Sequence, residues 1–309
     1  MSFLFAVILL VLGFILLTKG ADNFIENSAA FAEDYGISPH VVGVTIVAFG
    51  TSLPELLVSL ISSYQGYNDL ALGNIVGSNI SNIGLVLASS SFVFLYVLNS
   101  EIKPNHDSNN DSYIMFLAVF LLILFAQDNL ISTFDGVVFF ILYIIYIFSL
   151  YFRSKSKQID NKVKSKTSYN LLFGGLISML IGAQLTVDSA VEIASQLGIS
   201  EVVVGLSVVA VGTSLPELAG TISAAKMGHK EIAVGNVIGS NIANIFLVMG
   251  TLAIVNEIYV EQWILDTTLP LLLLITTAAF ALIRVPFNVI SGSILFGFFI
   301  LFIYELSLL

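Results

Sequence analysis

The sequence carries the hexapeptide GTSLPE twice, at residues 50–55 and again at 212–217. Both copies lie inside long apolar runs, where an ionisable side chain costs about 2.5–3.5 kcal/mol to insert. Within each copy the polar side chains are three or four residues apart, so they share one face of a helix. These side chains are Thr51, Ser52 and Glu55 in the first copy, and Thr213, Ser214 and Glu217 in the second.

Each copy also contains a proline that should interrupt its helix. Pro54 has no N–H to donate to the carbonyl of Gly50, and its ring pushes against that carbonyl. We therefore expect a kink or unwinding around 48–53 that frees carbonyl oxygens near Ala48 and Gly50 and, through Pro216, near Ala210. Inside a bilayer such oxygens are tolerated only where they face protein, water or a ligand.

A second duplicated motif supplies neutral oxygen donors. GNIVGSNISNI at 73–83 matches GNVIGSNIANI at 235–245. The glycine spacing mainly lets helices pack closely. A serine and an asparagine four residues apart then share a face in each copy: Ser78 with Asn82, and Ser240 with Asn244.

The chemistry of this set of ligands is that of a hard cation. Ca²⁺ takes about 6–8 oxygen ligands, whereas the lack of His and Cys in either motif argues against Zn²⁺ and Cu⁺. Two facing acids repel each other unless a divalent cation, two monovalent cations or two protons neutralise them. Competition for one pair of charges is the physical basis of antiport, so the motifs predict a shared cation site.

The rest of the chain must place these motifs in a membrane. The 309 residues are 57% hydrophobic and 10% charged, with mean hydropathy +0.97, against roughly 25% charged residues in soluble domains. With no cysteine, disulfides and thiolate metal sites are excluded.

A span needs about 20 apolar residues, and the N-terminal run indicates a first membrane helix and not a signal peptide. Ten spans are predicted, near 2–18, 40–63, 70–96, 112–127, 133–152, 170–187, 202–225, 231–255, 263–283 and 287–308. The more polar segments 19–38 and 182–200 could extend spans 1 and 6 as tilted helices.

The basic residues orient these spans. All eleven Lys and Arg follow odd-numbered spans, and the positive-inside rule makes that side cytoplasmic. Both termini are then extracellular, in the inner or plasma membrane of the cell. The basic segment 153–168 indicates a solvated cytoplasmic linker, with anionic-lipid contact as an alternative. The polar segment 101–112 indicates a plain loop, with metal binding through His106 as a less favoured alternative.

An offset of 162 residues aligns both motif pairs without a gap. The chain is therefore one five-span unit used twice, 1–152 and 169–309, joined by 153–168. Because five is odd, the second copy should enter the membrane from the opposite face. The fold class is thus an all-α membrane protein of ten transmembrane helices in two inverted five-helix repeats, an arrangement typical of transporters. Glu26 aligns with Asp188, and either helix-end solvation or a role on the access path explains this pair.

The paired motifs resemble the α-repeats of the Ca²⁺/cation antiporter superfamily, in the prokaryotic type of the Na⁺/Ca²⁺ exchanger branch. The resemblance implies an alternating-access exchanger that expels Ca²⁺ as Na⁺ enters, three Na⁺ per Ca²⁺, with spans 1 and 6 sliding as a pair. It implies that Glu55 and Glu217 bridge the central ions. The remaining ligands by resemblance are the hydroxyls of Thr51, Ser52, Thr213, Ser214, Ser78 and Ser240 and the carbonyls of Ala48 and Ala210.

One position departs from part of that family. Some K⁺-dependent members carry Asp where this chain has Asn244, and Asn82 is its equivalent in the first copy. Two acids instead of three make K⁺ co-transport a poorer fit, and a third Na⁺ would leave the filled site with a net positive charge.

Other functions stay open at this point. The closest alternative is a Ca²⁺/H⁺ antiporter using the same two glutamates, and the others are a passive channel and an intramembrane enzyme. The enzyme is disfavoured because no HExxH occurs. We expect a monomer in the lipid bilayer that binds Ca²⁺ and Na⁺, with no prosthetic group and no nucleic-acid partner.

Overall fold

The computed structural model describes residues 2–98, 103, 105–156, 166–197 and 211–306. This part of the chain is helical apart from one short antiparallel strand pair, in which Leu130 faces Tyr259 and Ile131 faces Ile258. The α-helices are α1 (Phe3–Tyr35), α2 (Pro39–Val42), α3 (Ala48–Thr51), α4 (Leu53–Tyr64), α5 (Asn68–Ser81), α6 (Ala88–Leu98), α7 (His106–Phe125), α8 (Thr133–Ser156), α9 (Tyr169–Gln196), α10 (Leu215–Lys226), α11 (Lys230–Ala243), α12 (Gly250–Val255), α13 (Leu269–Leu282) and α14 (Val289–Leu306). The strands are β1 (Leu130–Ile131) and β2 (Ile258–Tyr259).

Short segments of other helix types link several of these α-helices into continuous rods. Four are π-helical and one is a 3₁₀ turn: Gly43–Val47, Asn82–Leu87, Asn244–Met249 and Ile264–Thr268, and Ala126–Asp128. Single π-helical turns are rare and occur frequently at functional sites. Two of them begin at the predicted ligands Asn82 and Asn244.

Most of these continuous helices are long enough to span a membrane. Among the described residues, eight helices are long and apolar enough to cross a membrane, or nine if the bent pair Pro39–Thr51 and Leu53–Tyr64 counts as one span. The predicted span 202–225 begins on residues 202–210, which lie outside the described part of the chain. The expectation of a helical membrane protein is therefore confirmed.

Helices α1 and α9 are the longest, at 33 and 28 residues. At 1.5 Å per residue, α1 is about 50 Å long, well beyond the roughly 30 Å hydrocarbon core. The polar segments 19–38 and 182–200 thus do extend spans 1 and 6, as far as Tyr35 and Gln196. Glycines bring the two backbones into contact, since a Cβ on Gly182 would lie 2.7 Å from the Gly13 carbonyl oxygen.

Polar contacts also join α1 to the start of α9. The Asp34 carboxylate accepts hydrogen bonds from the Thr167 amide at 2.7 Å and the Thr167 hydroxyl at 2.5 Å. The Asn27 side-chain oxygen accepts one from the Ser168 amide at 3.0 Å. At the described ends of the predicted linker 153–168, α8 continues through Ser156, and the non-helical residues before α9 include the exposed Lys166 and the buried Thr167.

The prediction of a plain loop at 101–112 is wrong from residue 106 onward. Helix α7 begins at His106, and the Asn105 side chain caps it by accepting from the Asp107 amide at 3.2 Å. The run is helical because its polar side chains have partners inside the protein. Asp111, 1% exposed, binds His40 Nε2 at 2.7 Å and Arg153 Nη2 at 2.5 Å. Within the part of the chain that the structure describes, no group of three His, Cys, Asp or Glu is placed to hold a metal ion.

The duplicated motifs form identical elements at the 162-residue offset. When the first copy is shifted by 162 residues, α4 begins and ends where α10 does, and α5 begins and ends where α11 does. The π-helical segments that follow α5 and α11 also correspond residue for residue. The same local sequence therefore gives the same local structure in both copies.

Candidate cation site at the paired motifs

The helix carrying the first GTSLPE motif breaks at Ser52. Helix α3 ends at Thr51, α4 begins at Leu53, and the two are bent by 43°. Ser52 has φ −86° and ψ 8°, and Ser214, which precedes α10, has φ −86° and ψ 5°. Each proline sits in the first turn of the new helix, where its missing N–H costs no hydrogen bond. The predicted interruption by proline is confirmed in both copies.

The predicted release of the Ala48 carbonyl is wrong. Its oxygen still accepts the helical hydrogen bond from the Ser52 amide at 3.0 Å, because Pro54 removes the donor to Gly50 and not the donor to Ala48. The same oxygen has two hydroxyl neighbours, Thr51 Oγ1 at 3.2 Å and Ser240 Oγ at 3.5 Å. Ala210, its equivalent in the second copy, lies outside the described residues.

Glu55 and Glu217 occupy the first turns of α4 and α10, and both are fully buried. Ser52 Oγ donates to Glu217 Oε1 at 2.9 Å, which brings the second glutamate to the break in the first copy. Glu55 lies in the first turn of the helix that begins directly after Ser52, so Glu217 reaches the end of the helix that carries Glu55. The two acids that the sequence singled out are thus brought together.

Most oxygens of this acid pair lack a protein donor. Both carboxylate oxygens of Glu55, and Oε2 of Glu217, are buried without a hydrogen-bond partner among the described residues. The positive end of each helix dipole favours negative charge there, but an ionised carboxylate in a dry interior still needs a counter-charge. The arrangement therefore suits a bound cation, or protons in its place.

The second motif of each copy meets the first motif of the other. Thr51 Oγ1 lies 3.5 Å from Ser240 Oγ, and Ser78 Oγ lies 3.2 Å from Thr213 Oγ1. These contacts bridge 189 and 135 residues of sequence. The hydroxyls predicted from separate motifs are thus brought together in pairs, one from each copy.

The remaining predicted ligands are also buried. Over the residues that the structure describes, Asn82 has no partner for either side-chain polar atom, and Ser214 Oγ and Asn244 Oδ1 have none. Asn244 Nδ2 donates to Asn79 Oδ1 at 3.3 Å. Polar atoms left without partners in a packed interior are uncommon, and seven of the fourteen such atoms among the described residues lie on predicted ligands.

Glu26 and Asp188 are not part of this cluster. Both are exposed, and Asp188 accepts a hydrogen bond from Gln184, one helical turn away, at 2.8 Å. Sequence reasoning missed another pair of residues, Asn74 and Asn236. Both are buried, and each is hydrogen-bonded to residues of both copies. Their identical place in the two GNxxGSN motifs was the available signal.

A helical membrane protein with duplicated broken helices and buried oxygen-rich motifs belongs to the class of secondary transporters. The family profile described as “Sodium/calcium exchanger protein” matches residues 5–152 and 167–307. The sodium/calcium exchanger MaX1 of Methanosarcina acetivorans is 32% identical over 96% of this chain and 97% of its own length. The inner membrane protein YrbG of Escherichia coli is 33% identical over 82% and 80%.

Solved structures agree with this. The sodium-calcium exchanger NCX_Mj, soaked with 2.5 mM Na⁺ and 10 mM Sr²⁺, superposes with a TM-score of 0.87 at 33% identity, over 98% of this chain and 99% of the other. The chain belongs to the sodium/calcium exchanger protein family. The relatives named here as exchangers are transporters, not enzymes, as the sequence predicted.

Proposed function

We propose that this protein is a Na⁺/Ca²⁺ antiporter that exports Ca²⁺ in exchange for Na⁺ by alternating access. The observation that carries the proposal is the pair of buried glutamates, one from each copy, whose carboxylate oxygens lack protein partners in the described part of the chain. The names of the relatives MaX1 and NCX_Mj, both sodium/calcium exchangers, support the choice of ions.

The ions bind between the two copies. Glu55 and Glu217 supply the charge, and neutral oxygens complete a shell of the 6–8 ligands that Ca²⁺ prefers. The neutral ligands come from a larger set, of which one Ca²⁺ contacts only part: the side chains of Thr51, Ser52, Ser78, Asn82, Thr213, Ser214, Ser240 and Asn244 and the carbonyls of Ala48 and Ala210. One Ca²⁺ or two Na⁺ neutralise the two carboxylates, so the two substrates exclude each other.

Exchange is coupled because the empty, ionised site is costly. Leaving a buried charge uncompensated costs several kcal/mol, so a site that has released Ca²⁺ changes sides readily only after Na⁺ has bound. No additional gate is needed for this coupling. The physical requirement is only that both acids remain buried during the transition.

The transporter works as a monomer of ten spans in two inverted five-helix repeats, 1–152 and 169–309. Its termini are extracellular and its 153–168 linker is cytoplasmic, in the inner or plasma membrane. Helices α1 and α9 move as one pair against the others. The close glycine contacts and the Asp34–Thr167 hydrogen bonds support a rigid pair.

A second candidate is Ca²⁺/H⁺ antiport. It is favoured by the same unpartnered oxygens of Glu55, which a proton satisfies as well as a cation does. The paired motifs carry no third acid, so two protons would neutralise them completely.

Ion flux in reconstituted vesicles tests both candidates. Vesicles loaded with Na⁺ and diluted into Na⁺-free medium at equal pH should take up ⁴⁵Ca²⁺, and vesicles with only a pH gradient should not. The reverse result would establish the proton alternative, and uptake with no counter-ion gradient would indicate a channel. Glu55→Gln and Glu217→Gln should abolish uptake, while Glu26→Gln, at an exposed position, should retain it. Normal exchange in the double Gln variant would overturn the site.

A further inference from the structure

Asn74 in α5 and Asn236 in α11 form the same three hydrogen bonds in the two copies. Asn74 Nδ2 donates to the Glu55 carbonyl oxygen at 3.3 Å and to Ser59 Oγ at 2.9 Å. Its Oδ1 accepts from Thr213 Oγ1 at 3.2 Å. Asn74 is 4% exposed, so water does not compete for these bonds.

Asn236 repeats this pattern with the copies exchanged. Its Nδ2 donates to the Glu217 carbonyl oxygen at 3.3 Å and to Thr221 Oγ1 at 2.9 Å. Its Oδ1 accepts from Thr51 Oγ1 at 3.1 Å, and the side chain is fully buried. Each asparagine therefore links the backbone of the glutamate in its own copy to the threonine of the other copy.

The chemistry of these partners fixes the orientation of each amide. A backbone carbonyl can only accept, so the amide nitrogen must face the Glu217 carbonyl and the amide oxygen must face Thr51. An amide oxygen can only accept as well, so Thr51 must be the donor in that bond. The Ala48 carbonyl oxygen, 3.2 Å from Thr51 Oγ1, is a second acceptor for the same proton. With its proton directed at either acceptor, the threonine oxygen keeps its lone pairs for another partner. The same argument applies to Thr213 and Asn74.

We propose that Asn74 and Asn236 are positioning residues for cation binding. Each one holds the threonine hydroxyl of the opposite copy with its lone pairs turned towards the ion, and ties that hydroxyl to the backbone of a glutamate ligand. Neither asparagine touches the ion. This inference rests on the proposed antiport function, in which the two threonines are ligands.

The pattern predicts coupling between particular residues. If Asn236 acts through Thr51, then removing it from a protein that already lacks the Thr51 hydroxyl changes Ca²⁺ affinity little. Losing the hydrogen bond in the otherwise intact site should raise the KM for Ca²⁺ by about 3- to 10-fold, the usual worth of one such bond. A residue that only stabilised the fold would show no preference between the two threonines.

Double-mutant cycles in reconstituted full-length protein test this, with the KM for Ca²⁺ in Na⁺-driven uptake as the readout. Asn236→Ala is combined with Thr51→Val and, as the matched control, with Thr213→Val. The expected result is strong coupling with Thr51 and additivity with Thr213. The mirror cycle with Asn74→Ala should couple to Thr213 and not to Thr51. Thr51→Ser, which keeps the hydroxyl, should leave the effect of Asn236→Ala intact.

The outcomes separate this inference from the function it rests on. Suppose that the single variants still exchange Na⁺ for Ca²⁺, and that the effects on KM of Asn236→Ala with Thr51→Val, and of Asn74→Ala with Thr213→Val, are additive. That result would overturn the positioning role alone. Loss of Na⁺ dependence in the unmodified protein would overturn the antiport function itself. If an alanine variant does not fold, Asn236→Leu removes the acceptor for Thr51 while keeping a side chain of similar size, and absence of coupling between that variant and Thr51→Val refutes the inference.

Discussion

The contact between α1 and α9 allows a quantitative prediction for Gly182→Ala. The added Cβ would lie 2.7 Å from both Leu17 Cα and the Gly13 carbonyl oxygen, where ordinary contacts begin at 3.4 Å. The helices must therefore separate locally by at least 3.4 − 2.7 = 0.7 Å. Overpacking of this kind costs about 1–3 kcal/mol. At about 2 °C per kcal/mol for a long chain, Tm should fall by about 2–6 °C.

The control lies on the same helix. Gly174 has no atom within 4 Å of the position its Cβ would take, so Gly174→Ala adds no clash. Because alanine also favours the helix by up to about 1 kcal/mol, this variant should be as stable as the wild type or slightly more so. Thermal unfolding of both variants in one detergent, followed by circular dichroism, makes the comparison. Equal Tm values for the two variants would refute close backbone packing of α1 on α9.

Two further predictions concern buried polar groups near the helix ends. Asp111→Asn removes the carboxylate that both His40 and Arg153 bind, so we expect the free energy of unfolding to fall by about 3 kcal/mol. Denaturant unfolding of this variant is compared with that of Asp188→Asn, a control at an exposed position. Equal denaturant midpoints for the two variants would contradict the prediction. Burial lowers the pKa of His229 below its usual 6.5, partly opposed by Glu33. The unfolded chain then binds the proton more tightly, so wild-type stability should fall, relative to His229→Gln, as pH drops through 6.5. Parallel pH profiles for the two proteins would refute this.

The sequence predicted the parts of the site that depend on local chemistry. A proline removes a backbone donor wherever it stands, so the breaks before Pro54 and Pro216 followed from the motif alone. The pairing of Glu55 with Glu217 also followed, because a buried acid at the same place in both copies is expensive unless both face one shared ligand. The duplication supplied this non-local information through the constant offset.

Most of the wrong or missed predictions depend on contacts between distant residues, which the 162-residue repeat does not reveal. The segment 106–112 contains too many polar residues to be recognised as a buried helix, and its partner His40 lies 71 residues before Asp111. The Ala48 carbonyl kept its helical bond because its donor is the Ser52 amide, whereas Pro54 removes only the donor to Gly50. Asn74 and Asn236 were passed over because their role depends on threonines of the opposite copy.

The serine contacts distinguish two copies that are otherwise alike. Ser52 donates to Glu217, whereas Ser214, in the region that the structure describes, has no partner and Glu55 receives no donor. A mirror arrangement, with Ser214 engaged and Ser52 released, would use the same kinds of bond between the same residue types. Two such arrangements should differ little in free energy, and thermal motion can interconvert states that are only a few kcal/mol apart. The duplicated motifs thus contain the residue types that either arrangement of serine and glutamate requires.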